Sequence, residues 1–160
     1  LDRRSQSLRG SLDQVGEALD EQHRWISATP AITPVRGILT SGFGYRRDPV
    51  TGKNSMHQGV DISTAPGRPV LATADGVVIT AERVGQLGKA VYISHGYGLV
   101  TRYGHLSSID VEPGQRVRRG DPVGRVGSTG KSTGYHLHYE VRENGRPINP
   151  IAYLLESPAG

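Results

Sequence analysis

A chain of 160 residues is long enough for one buried core with room for an appendage. Its 22 glycines and 10 prolines suit short strands and turns better than long helices. The absence of cysteine excludes disulfides, a thiolate nucleophile and a cysteine-ligated metal. No run is apolar and long enough to cross a bilayer, and no secretory signal is visible. Because the chain starts at Leu1 rather than methionine, it reads as an excised piece, and any targeting segment or membrane anchor is expected in a part preceding it. The net charge is +4, and residues 1–30 carry four basic against five acidic side chains, so the basic excess lies in the remainder. A basic surface suits nucleic acid or another polyanion, such as a carboxylate-rich wall polymer, or is a solvated face. No nucleic-acid motif is present, so no nucleic-acid partner is expected.

The chain opens with Leu8, Leu12, Val15 and Leu19, spaced by four, three and four, with Ile26 seven further on. That is the seam of an amphipathic helix over 1–28, the end of a truncated coiled coil or a single helix packed on the domain. His23 falls in it as a surface residue. Pro30 and Pro34 disfavour helix before them, so 29–36 is predicted to be an extended linker. A domain over 37–155 follows. Gly37–Tyr45 reads as a strand with glycine breaks, and Arg46–Met56 as an exposed loop carrying Asp48-Pro49 and Thr51-Gly52 turn signals.

His57–Ser63 alternates as a strand, with Val60 and Ile62 on one face and His57, Gly59 and Asp61 on the other. Strands are predicted over Pro69–Thr73 and Gly76–Glu82, with Asp75-Gly76 as a hairpin-type turn between them. Lys89–His95 places Val91, Ile93 and His95 on one face, and Leu99–His105 does the same for Thr101, Tyr103 and His105. Short strands surround Val117, Val123 and Val126. The small-residue loop Gly127–Gly134 contains Gly130-Lys131-Ser132. A phosphate loop would need glycine at 125, where Arg125 stands, so nucleotide binding is rejected. Tyr135–Val141 has period two, with Leu137, Tyr139 and Val141 facing a core and His136, His138 and Glu140 facing away. A last helical turn falls within Asn149–Leu155. The fold class is mainly antiparallel β, a sandwich or barrel-like domain.

Two histidines and one carboxylate, with water in the fourth position, form a catalytic zinc set. His57 and Asp61 supply one imidazole and the carboxylate, and the 136/138 pair supplies the other imidazole. The expectation is that these two segments lie side by side around Zn2+. Pattern alone does not choose between His136 and His138. His105 ends a strand and is placed to reach into a groove, whereas His95, before a turn, reads as a hydrogen-bonded structural residue.

Three segments carry a specific resemblance: His57-x-Gly-x-Asp61; His95-Gly-Tyr-Gly-Leu-Val-Thr-Arg-Tyr-Gly-His105-Leu-Ser; and Gly-Ser-Thr-Gly-Lys-Ser-Thr-Gly-Tyr-His136-Leu-His138-Tyr-Glu. With Val117–Gly124, they resemble the lysostaphin-type (LytM-like) zinc endopeptidases over roughly residues 35–150. The resemblance implies an antiparallel β domain with an open groove and cleavage of peptide bonds, those of the cross-links, in bacterial peptidoglycan. It makes His57, Asp61 and His138 the zinc ligands, and His105 and His136 the catalytic histidines. Tyr135 stands where many relatives have proline, which touches loop shape rather than chemistry. The helix over 1–28 resembles the coiled-coil lead of Gram-negative envelope members. That implies a periplasmic, cell-envelope setting and an envelope regulatory protein as a partner of the helix.

No H-E-x-x-H helix supplies a glutamate base here. Neutral histidine, with an ordinary pKa near 6.5, suits that task. Glu140 is placed either to orient a ligand from behind or to form a surface pair. The competing reading is a non-catalytic wall-binding or amidase-activating module of the same fold, disfavoured because all five positions are intact. A carrier domain of the lipoyl type would need a lysine at a hairpin tip, and Lys53, Lys89 and Lys131 fit none. An intact enzyme whose groove is covered by the 1–28 helix or by another protein is a further alternative.

Overall fold

The structure, a computed structural model, describes residues 26–47 and 51–154. The helical prediction over 1–25, with His23, lies outside the described residues. Ile26, Ser27 and Ala28 are helical. Residues 29–36 then run without regular structure and are tied to the domain: Ala31 N–H donates to the Thr73 carbonyl, Leu71 N–H donates to that of Pro34, and Val35 is buried.

Among the described residues twelve strands follow: β1 (Ile38–Ser41), β2 (Gly44–Arg47), β3 (Asn54–His57), β4 (Val60–Ser63), β5 (Pro69–Leu71), β6 (Gly76–Val84), β7 (Gly88–Gly96), β8 (Leu99–Ile109), β9 (Arg116–Val117), β10 (Pro122–Val126), β11 (His136–Glu143) and β12 (Arg146–Ile148). Ten of them form one antiparallel sheet in the order β1-β4-β11-β8-β7-β6-β9, with β12 on β11 and β10 bridging β5 and β8. The sandwich or barrel reading thus gives way to a branched sheet. β2 and β3 form a separate hairpin.

The alternations explain the core. Leu137, Tyr139 and Val141 of β11 are fully buried, as is Val60, and Ile62 nearly so. They pack with Val91, Ile93, Tyr103 and Leu106 from β7 and β8. Two hydroxyls enter this core, and both are satisfied: Tyr103 and Tyr139 each hydrogen-bond Thr73 Oγ1, at 3.1 and 2.8 Å. Unpaired, each would cost about 1–3 kcal/mol. The other face of β11 is left to its polar residues.

Three local expectations change. Arg46–Met56 is not all loop: its ends are the β2–β3 hairpin, whose short polar strands carry no burial signal for a period-two reading. His57–Ser63 is not one strand, because β3 ends at His57 and a bend at Gly59 passes the chain to β4 in the other sheet. The strands flanking Asp75-Gly76 do not pair with each other. β5 takes β10 as its partner, and β6 takes β7 and β9.

Candidate metal centre and groove

The register of β11 builds the site. His138 lies opposite Asp61 of β4 on one side and Gly104 of β8 on the other. Facing residues of an antiparallel pair share a face with Cβ atoms about 4.5–5.5 Å apart. Asp61 and His138, 77 residues apart in sequence, therefore meet by strand pairing alone: Asp61 Oδ1 is 2.8 Å from His138 Nδ1. His57 arrives from the end of β3. Its Nδ1–H donates to the Gly42 carbonyl at 2.7 Å, since a carbonyl can only accept. This leaves Nε2 as the lone-pair nitrogen, 3.3 Å from Asp61 Oδ2.

Close approach at Gly59 makes this possible. A Cβ there would lie 2.3 Å from the Tyr139 carbonyl oxygen and 2.8 Å from Glu140 Cγ. Only glycine lets the β3–β4 bend cross β11 at this height.

His105 is on β8, but not as the alternation predicts. Thr101 and Tyr103 point into the core, whereas His105 has φ of 61° and sits in a bulge, with Lys89 pairing Leu106 and Val91 pairing Tyr103. One extra residue on β8 turns the side chain out of the core rows and toward the groove. Its Nδ1–H donates to the Thr129 carbonyl at 2.7 Å. The Gly127–Gly134 loop thus serves to orient His105. Thr129 is itself held by Oγ1–H donating to the Leu106 carbonyl at 2.6 Å. The His136 ring stands 4.8 Å from that of His105, and its Nδ1–H donates to the Gly134 carbonyl at 3.1 Å. Both histidines therefore keep Nε2 as the proton-accepting nitrogen.

His95, by contrast, is buried away from this cluster. Its Nδ1–H donates to the Asp75 carbonyl at 2.8 Å, and Thr101 Oγ1 meets Nε2 at 2.7 Å, the structural role its position suggested. Burial holds its imidazole below the ordinary value, against the pull of Asp75.

The charges are mutually dependent. Burial works against ionisation of Asp61, but the His138 hydrogen bond and the charges of His138, His57 and His136 hold its carboxyl below the ordinary range. Burial also works against His138. Its hydrogen bonds to Asp61 and Glu140, with their charges, outweigh that and raise the imidazole to about 9. Burial, aided by His136 and His138, holds His105 below the ordinary histidine value despite its carbonyl partner. His105 is therefore neutral at pH 7 and able to accept a proton.

His57, Asp61 and His138 each present one donor atom, and these lie within 4.8 Å of one another. Two imidazole nitrogens and a carboxylate oxygen, with the His57 donor set by its backbone bond, fit zinc. The set lies in an open groove of about 850 Å³, whose lining also includes Arg46, Arg102, His105, Lys131 and His136. Sequence reasoning left Glu140 undecided. It is 3% exposed and bonded to His138 Nε2 at 2.9 Å, so it stands behind the metal set and is no surface pair.

A three-donor set opening on a groove, taken with the family match that follows, marks this β domain as a metallopeptidase. The chain belongs to peptidase family M23, whose model matches residues 55–150. It is 47% identical over 120 residues to the DD-carboxypeptidase/endopeptidase Mpg of Neisseria meningitidis, covering 75% of this chain and 28% of that protein. Against the peptidoglycan DD-endopeptidase ShyA of Vibrio cholerae it is 44% identical over 114 residues, 71% of this chain and 26% of the relative. A zinc-containing peptidase from Vibrio cholerae superposes with a TM-score of 0.70 at 39% identity, covering 82% of this chain and 40% of the other. The chain thus spans about a quarter of the length of the curated relatives it matches. The resemblance to lysostaphin-type enzymes holds, and zinc is the cofactor indicated by the donor set and the zinc-containing neighbour. Among the described residues, no helix is long and apolar enough to cross a membrane.

Proposed function

We propose that this chain is the catalytic domain, over 37–155, of a zinc-dependent endopeptidase that hydrolyses peptide cross-links of bacterial peptidoglycan in the periplasm. The observation that carries it is the pair of imidazoles beside the donor set. His105 and His136 are each fixed through Nδ1 to a backbone carbonyl, with Nε2 left to act in the groove. The relatives named for DD-endopeptidase activity supply the substrate class.

His57, Asp61 and His138 would hold the ion. Bound there, zinc supplies Lewis acidity toward the scissile carbonyl and lowers the pKa of water to about 7. His105, neutral at pH 7, accepts the proton of the attacking water at Nε2 and passes it to the leaving amine. His136, with its Nδ1–H given to the Gly134 carbonyl, uses Nε2 to accept a hydrogen bond from water and so orients it. Arg46 and Lys131 at the rim favour an acidic peptide. Residues 1–28, where the sequence predicts a helix, are the part proposed to meet an envelope regulatory protein.

Digestion of purified cell walls, followed by mass spectrometry of the fragments, tests this. His138→Ala should lose both zinc and activity. His105→Ala should keep zinc and lose turnover by about 100-fold or more. Normal cleavage by the His105 variant overturns its role, and cleavage of glycan rather than peptide bonds overturns the function.

A further inference from the structure

His138 is gripped on both nitrogens. Nδ1 meets Asp61 Oδ1, while Nε2 meets Glu140 Oε2. Glu140 is a buried carboxylate, and burying one is costly unless it is paired. Its second oxygen accepts from Arg142 Nε at 2.9 Å and lies 3.8 Å from Arg102 Nη1. Arg142 Nη2–H in turn donates to Gln58 Oε1 at 2.8 Å, next in sequence to His57. Arg102 is stacked over the Tyr92 ring at 4.3 Å. The bare side of Gly59 leaves room for the Glu140 side chain. A line of polar contacts thus runs from one ligand, through Glu140 and Arg142, to the segment carrying another.

We propose that Glu140 is a positioning residue that fixes His138 as an Nδ1 ligand, and that Arg142 ties this setting to the His57 segment through Gln58. A carboxylate accepts but cannot donate, so the nitrogen facing Glu140 must carry the ring proton. Without metal, Nδ1 also faces a carboxylate, Asp61 Oδ1, and carries a proton of its own; an ion taking that proton's place would find Nδ1 as the donor, because the Nε2–H is held by Glu140. With Glu140 absent, the proton is free to sit on either nitrogen and the ring is free to turn. Such partners behind a ligand typically change metal affinity by about 10–100-fold. This rests on the metal set of the proposed function but not on its substrate.

The test is zinc affinity, by competition with a chromophoric chelator, together with imidazole 15N spectra of the zinc-loaded protein. Glu140→Ala should bind zinc about 10–100-fold more weakly, with the His138 Nε2–H signal broadened or lost. Glu140→Gln keeps a carbonyl acceptor, so it should retain that signal and weaken zinc by about three- to tenfold. Arg142→Ala should weaken it by a similar, smaller factor. An affinity loss in the alanine variant with the His138 signals unchanged marks a merely structural role and overturns the proposal, as does affinity within about threefold of wild type. Should Glu140→Ala fail to fold, the other two variants decide, and wild-type affinity in both overturns it. If wild type binds no zinc, the metal reading itself has failed, which this comparison distinguishes.

Discussion

Gly59 carries no functional group, yet replacing it with alanine should dismantle the metal centre. A Cβ at 59 would meet the Tyr139 oxygen at 2.3 Å, Glu140 Cγ at 2.8 Å and the Tyr139 carbonyl carbon at 3.0 Å. Ordinary non-bonded contacts lie near 3.5 Å, so the β3–β4 bend must lift from β11 by about 1 Å. Two of these atoms are backbone and cannot rotate away. Overpacking of this kind costs about 1–3 kcal/mol. The chemical cost is larger, because metal–ligand distances tolerate only about 0.2 Å, and His57 and Asp61 flank the bend while His138 lies across it. Zinc affinity should fall at least about tenfold. Urea unfolding of the zinc-stripped protein reads the first effect, and chelator competition reads the second. Gly42→Ala is the control: a Cβ there meets nothing within 4 Å, and the Gly42 carbonyl that accepts from His57 remains. Its stability should stay within about 0.5 kcal/mol of wild type. A Gly59→Ala protein with wild-type stability and undiminished zinc affinity would refute the reasoning.

Further outcomes are expected. Leu137→Ala, in the fully buried row behind the histidines, should cost about 2–5 kcal/mol in denaturant unfolding while leaving every ligand in place. His95 is held below its ordinary value of 6.5, so the unfolded chain takes the proton first. Its contribution is complete above 6.5 and is lost as pH falls from there through the lower folded value. The stability gap between wild type and His95→Gln should therefore shrink between pH 8 and pH 5, and a constant gap refutes the assignment. Free zinc at a hundred times its dissociation constant should stabilise the protein by about 2.7 kcal/mol, and a chelator should remove both that increment and all wall cleavage.

The parts legible in the sequence are those where local pattern and burial agree. The alternation of β11 placed Leu137, Tyr139 and Val141 inside and His136, His138 and Glu140 opposite. The same holds for Val60 and Ile62 of β4. Patterns carry no information about partners, so the β2–β3 hairpin and the β5–β10 pairing were not visible. His105 shows a different limit. Strict alternation put it on one face with Thr101 and Tyr103, which are buried, and the bulge with its left-handed backbone is what turns it toward the groove that its place at a strand end suggested. The preceding Gly104 is the one local hint of that irregularity. Glu140 showed its face but not its burial, because Arg142, Arg102 and the bend at Gly59 close over it only in three dimensions.

The distance along the chain between Asp61 and His138 has a consequence for how the donor set is completed. A nascent or partly threaded chain owns at most His57 and Asp61, a weak two-point hold on any metal. The third contact is delivered by β11, and only after it has slotted between β4 and β8. The donor set is thereby complete only once this long-range strand pairing has formed.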